Sequence, residues 1–143
     1  KNHENRSCCI TDVLNPKRDR HSVLTIETLL RQSVKPDAII LWLAKTQFEN
    51  MDDLPEALLR QRERGLTIRF CEDLRSHKKY YYVMQQYPED LIILADDDMF
   101  YPRDTIKKLL DMHNENPDDI CTMTAQVIEP SLKQSPLCGE IQS

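Results

Sequence analysis

LIILADDDMFYP (residues 91–102) is the stretch on which the fold turns. Leu91 to Ala95 are apolar without alternation, the pattern of a short strand buried on both faces in a parallel sheet. The run ends abruptly in Asp96, Asp97 and Asp98, and Pro102 then suits the opening of a helix. In that helix Ile106, Leu109, Leu110 and His113 share one face at spacings of three and four. An uninterrupted apolar run reads as the most central strand of its sheet, with the acidic turn at its carboxyl end.

The same alternation extends in both directions. Toward the N-terminus, Ser76 is a plausible N-cap for a helix reaching about Tyr87, with Tyr80, Val83, Met84 and Tyr87 as its buried stripe. LTIRFC (66–71) precedes it as a strand with Leu66, Ile68 and Phe70 on one side. A helix over 52–64 has Asp52 and Asp53 at its positive end, Pro55 in its first turn, Leu54, Leu58 and Ala57 facing inward, and Gly65 as its stop. AIILWLA (38–44) is a second fully apolar strand, and the helix before it places Val23, Ile26, Leu29 and Leu30 on one face until Pro36. ITDVL (10–14) reads as the first strand, after a polar and frayed start over residues 1–9. ICTMTAQV (120–127) reads as the last. Strands of about five residues alternate with helices of about twelve through short connections, the signature of repeated parallel crossovers. The expectation is an α/β fold: a mostly parallel open sheet of about four or five strands with helices on both faces.

Composition narrows the function classes. At 143 residues the chain fits one domain with one core. Acidic residues outnumber basic ones, 24 to 19, which argues against a partner held by its phosphate backbone, so no nucleic acid is expected. No apolar run approaches a membrane span. The five cysteines form no CxxC or Cys/His ligand spacing, and a chain of this size needs no disulfide staples; a reducing, cytoplasmic compartment is expected, with membrane association left to regions outside the chain. With two glycines in all, dinucleotide and P-loop fingerprints are excluded.

Chemistry concentrates at the acidic turn. Adjacent carboxylates repel, and a divalent ion offsets that repulsion. Side chains alternate along extended backbone, so Asp96 and Asp98 project together and Asp97 oppositely. Two carboxylates on one side form an oxygen-rich site for Mg²⁺ or Mn²⁺, which can bridge to a ligand's phosphates. The alternative is that one aspartate caps the following helix while the others are solvated. A second cluster, RSHKKYYY (75–82), sets Arg75, Lys78 and Lys79 at a helix start suited to anions; a solvated basic turn with core tyrosines is its alternative. Lys78 and Lys79, being adjacent, cannot face one way. Asp73, after the third strand, can accept hydrogen bonds from a base or sugar. No nucleophile–base arrangement is supported by spacing, and the catalytic residue is unassigned.

The segments LTIETLLRQSVKPDAIILWLA and KKYYYVMQQYPEDLIILADDDMFYPRDTIKKLL resemble the inverting, family 2-like nucleotide-sugar glycosyltransferases with the Rossmann-like GT-A fold, especially bacterial members that build surface polysaccharide. The resemblance covers about residues 10–130. It implies a nucleoside diphosphate sugar donor such as a UDP-sugar, a saccharide acceptor, and Mn or Mg. Its acidic DxD-type motif falls on Asp96, Asp97 and Asp98, with Asp96 and Asp98 at the metal and Asp96 and Asp97 near the nucleotide. It also places Asp73, Lys78 and Lys79 beside the base, and Thr11 and Asp12 beside the nucleotide. The family's acceptor half, with its general base, has no counterpart here, so residues 1–143 read as a single domain that is the N-terminal, donor-binding part of a larger enzyme. Two other readings stay open: a non-catalytic nucleotide-sugar-binding or interaction module, and another metal-dependent α/β phosphotransfer protein.

Overall fold

The structure, a computed structural model, describes residues 7–11 and 19–124. It is an α/β fold. Strands β1 (Ser7–Thr11), β2 (Ala38–Ala44), β3 (Leu66–Cys71) and β4 (Leu91–Ala95) alternate with helices α1 (Asp19–Leu30), α2 (Glu56–Gln61), α3 (Lys78–Gln86) and α4 (Thr105–Glu115). The strands form a four-stranded sheet in the order β3-β2-β1-β4. Every pairing is parallel, with Thr11 opposite both Leu41 of β2 and Ala95 of β4.

That order explains where the helices lie. The chain steps from β1 to β2 to β3 in one direction, then returns past them to β4. Crossovers between parallel strands are right-handed, so reversing the direction of travel moves the connecting helix to the other face. Ile26 and Leu29 of α1, Leu58 of α2 and Ile106 of α4 accordingly share a core with Leu41, Leu43 and Ile93. On the opposite face Val83 of α3 packs with Ile40, Trp42 and Cys71. Alternate residues of β2 thus feed two different cores, and an apolar run without alternation is what that requires.

The elements depart from expectation in ways that have physical causes. β1 covers Ser7–Thr11, not 10–14, so part of the expected frayed start is strand; its Cα partners on both flanks set its limits, and residues 12–14 lie outside those described. β4 is an edge strand among the described residues, not the central one. Its Leu94 is 47% exposed, whereas Leu41 and Leu43 of β2 are fully buried. Apolar content signals burial of a strand but does not report its place in the sheet.

The expected helix over 52–64 is broken into a 3-10 turn (Met51–Asp53), α2 and a second 3-10 turn (Arg62–Arg64). Pro55 is the reason: it forces the preceding Leu54 into extended backbone, φ −90° and ψ 147°. Ala57 is consequently exposed rather than inward-facing. Gly65 does stop the segment, at φ +114°, a conformation that side chains resist. Residues 120–124 of the expected last strand carry no strand structure, and 125–127 lie outside the described residues.

Gln32 joins α1 to α4. Its side chain is 1% exposed and fully bonded. Its Nε2 donates to the Pro102 and Thr28 carbonyls at 2.8 and 3.1 Å, and its Oε1 accepts from Ile106 N at 3.0 Å. A backbone bond from Ser33 N to Arg103 O, 2.8 Å, lies beside it. Ile106 N, in the first turn of α4, is thereby satisfied from the segment that follows α1, in a helix with no side-chain cap of its own.

Candidate functional site

In a parallel sheet all carboxyl ends emerge on one side, so Thr11, Ala44, Cys71 and Ala95 deliver their following loops to a common rim. The acidic turn leaves that rim from β4, and its backbone is held by uncharged groups. Asp96 N donates to Tyr101 Oη at 2.7 Å, and Tyr101 N donates to Thr28 Oγ1 at 3.2 Å. Thr25 Oγ1 donates to the Asp97 carbonyl at 2.9 Å. Ser22 and Thr25 are buried at 1% and 0% exposure. Sequence reasoning missed this hydroxyl row. Its signal was there: Ser22, Thr25, Thr28 and Gln32 interrupt the apolar face of α1 at helical spacing.

The aspartate side chains diverge. Asp96 reaches toward α3 and pairs with the Lys79 ammonium. Asp97 turns the other way, toward α1, where Ser22 Oγ donates to its Oδ2 at 3.4 Å. Asp98 is exposed. None of them caps α4, whose N-cap position is Asp104. The carboxylates of Asp96 and Asp98 are therefore not consumed in starting the next helix.

The loop after β3 is organised around Asp73. Its Oδ1 accepts Arg75 N at 2.9 Å and Lys78 Nζ at 3.0 Å. Lys78, first, and then the Arg75 amide hold the Asp73 carboxyl below the ordinary aspartate range. Arg75 sits at φ +52°, the left-handed region, where the Asp73 bond to its amide supports it. A 3-10 turn (Arg75–His77) leads into α3, so Ser76 does not cap the helix, which begins at Lys78 with no side-chain cap. The expected stripe is corrected too: Met84 is 51% exposed, and the buried residues of the helix are Lys78 and Val83. Burial pushes the Cys71 thiol above its usual value, the opposite of what a nucleophile needs.

Of the residues singled out in the sequence, the structure brings Lys79 to Asp96 and Lys78 to Asp73. Thr11 stands beside Ala95, one residue before the turn. Asp12 lies outside the described residues. The adjacent lysines face apart, as their spacing requires.

Among the described residues no group of three or more His, Cys, Asp or Glu side chains is placed to hold a metal ion. A magnesium or manganese ion can be held through as few as one or two carboxylates, completed by phosphates and water. Asp96, one of the two carboxylates expected at a metal, is paired with the Lys79 ammonium.

Two shallow concavities lie elsewhere. One of about 250 Å³ opens between the end of α1 and Arg64, lined by Leu30, Lys35 and Asp37. The other, about 440 Å³, runs along the free edge of β3. Neither gathers groups that do chemistry, and we place the candidate site at the rim on the ground of its charges rather than its depth. No helix among the described residues is long and apolar enough to cross a membrane. Neither any protein-family model nor any curated protein sequence matches the chain.

Proposed function

We propose that this chain binds a nucleoside diphosphate sugar, as the donor-binding half of a metal-dependent glycosyltransferase with a Rossmann-like, GT-A-type fold. One observation carries the reading. The order β3-β2-β1-β4 reverses direction between β1 and β4, and ligands of open α/β sheets bind at such a switch point, beyond the carboxyl ends of the strands. Asp96 and Asp98 follow β4 at that point without serving as a helix cap.

Asp96 and Asp98 are the carboxylates that would hold Mn²⁺ or Mg²⁺. When bound, such an ion neutralises charge on a diphosphate leaving group. Asp73, fixed by its bonds to Lys78 and Arg75, presents acceptor oxygens at the base side of the rim. Thr11 ends β1 beside Ala95 at the same rim. Transfer to a saccharide hydroxyl needs a base to take its proton, and no residue of this chain is assigned that role.

Calorimetry with UDP, with and without Mn²⁺, tests the reading. Binding is expected to require the ion, and Asp98→Ala is expected to abolish that requirement together with most of the affinity. Unaltered ion-dependent binding in Asp98→Ala would remove Asp98 from the site, and UDP binding indifferent to Mn²⁺ in the parent chain would end the metal-dependent account. Donor binding without sugar transfer from the bound donor would favour a binding module over an enzyme.

A further inference from the structure

β3 is an edge strand among the described residues, and its edge carries none of the usual protection. Exposed edges are commonly blunted by lysines, prolines or bulges. LTIRFC has no lysine and no proline. Its single charge, Arg69, is drawn inward over the Trp42 ring, 5.8 Å from the centroid, and donates to Tyr87 Oη at 3.1 Å. The Cys71 carbonyl accepts from Lys45 N at 3.0 Å, so Cys71 faces β2. Backbone direction alternates along a strand, so Thr67 and Arg69 face β2 as well. Leu66, Ile68 and Phe70 therefore aim their N–H and C=O groups outward. Their side chains lie on the α2 face, where a groove of about 440 Å³ runs between this edge and Leu59, Arg62 and Glu63.

We infer that β3 pairs antiparallel with β3 of a second copy of this chain, about a two-fold axis at Ile68, so that two sheets become one. Only registers that oppose outward-facing residues make hydrogen bonds. The register that uses all three sets Ile68 against Ile68 and Leu66 against Phe70. It also brings Phe70 of each copy to the groove of the other. Counting on from these pairs, Thr67 opposes Arg69 and Arg64 opposes Glu72. The charges suit that register. The exposed segment entering β3, Arg62 to Arg64, has a net positive charge, and the segment leaving it begins with exposed Glu72. The charge of Asp73 is already met by Lys78. Arg64 and Glu72 now pair with Glu27 and Lys45 in solvent-accessible contacts that are weak and exchangeable. A two-fold contact is closed, so association stops at the dimer. Antiparallel pairing sends the two carboxyl rims to opposite sides, and neither obstructs the other. This dimer stands independently of any ligand at the rim.

Sedimentation velocity of the 143-residue chain over a wide concentration range, with far-UV circular dichroism confirming the fold of each variant, tests the pairing. A dimer is expected, with amide exchange at Leu66, Ile68 and Phe70 slowing as concentration rises. Thr67→Lys alters an exposed side chain and sets an ammonium against Arg69 twice per dimer; it should weaken association by about tenfold. Glu72→Arg should weaken it by about five- to tenfold, since the altered contact also occurs twice. Arg64→Glu combined with Glu72→Arg should restore the parent value to within about twofold. A chain that stays monomeric overturns the inference; if its edge amides are protected even when dilute, a segment of the same chain covers β3 instead. A dimer that Thr67→Lys leaves intact lies elsewhere on the surface and also overturns it. Failure of the paired reversal to restore association overturns the register.

Discussion

Asp73–Lys78 and Asp96–Lys79 are the same chemical pair, drawn from consecutive lysines and from loops at the same end of one sheet, yet they differ in kind. The inner pair closes the loop after β3 through a buried lysine, Lys78 at 3% exposure, whose partner Asp73 keeps 34%. The outer pair stands at the rim of β4 with both partners in contact with water. The lesson is that burial, not proximity, separates a structural ion pair from an exchangeable one. A buried ammonium such as that of Lys78 is stranded at high cost when its carboxylate is lost. A hydrated pair is worth little and is easily replaced by another ion.

The sharpest way to break the comparison is to remove the carboxylate of each pair. Asp73→Ala strands the buried Lys78 ammonium and is expected to lower Tm by on the order of 10 °C, measured by thermal circular dichroism. Asp96→Ala should leave Tm within a few degrees. Equal shifts would mean that burial does not separate the pairs. Lys78→Met, which removes the charge and keeps the stem, should be far milder than Asp73→Ala, because Asp73 keeps the Arg75 amide and a path to water.

Gln32 extends the buried side of the comparison to a neutral group. Gln32→Ala leaves Ile106 N without its partner, while the Pro102 carbonyl keeps Thr105 N and Oγ1, and is expected to destabilise the fold by about 1–3 kcal/mol in urea unfolding. Gln32→Glu should do at least as much harm, since the Pro102 carbonyl then faces a group that cannot donate. A loss below about 0.5 kcal/mol would show that the clasp is replaced by water.

The pH dependence supplies a smaller effect with a definite sign. The Glu27 carboxyl is lowered chiefly by its hydrogen bond from Arg64, with Arg31 helping against partial desolvation. Asp73 is lowered by Lys78 and the Arg75 amide. A depressed carboxyl contributes stability that is fully present above its unfolded value and fades as pH falls through the folded one. Stability should therefore decline below about pH 4, and Asp73→Asn should flatten part of that decline. An acid limb identical in Asp73→Asn would remove the Asp73 contribution.

Smallest of all, Lys79→Gln should change stability by less than about 1 kcal/mol, with little dependence on salt remaining in the variant.

Much of this arrangement was legible before any coordinates. β2 and β3 occupy the residues that their apolar runs assign, because a strand feeding two cores must be apolar at every position. That Lys78 and Lys79 do not face one way follows from helix geometry alone. What resisted reading was set by partners distant in the chain. β1 takes its limits from pairing with both β2 and β4, and its own composition, with Asp12 inside the apolar stretch, carries no clear boundary. The edge position of β4 depends on strand order, to which hydropathy is blind. Lys78 looked like a solvated charge because nothing local announces that Asp73 folds back to meet it.

By itself, then, the order of residues determined the alternation of strands and helices, their parallel crossovers, and the placing of carboxylates where β4 ends; these depend on periodicity and on nearest neighbours. Tertiary structure alone decided which lysine is buried, toward which helix Asp96 and Asp97 each turn, and which hydroxyls of α1 hold the turn. Those outcomes depend on contacts across as many as 75 positions in sequence, as between Ser22 and Asp97. Solvent access, which sets the strength of each charge, exists only once the chain has closed around it.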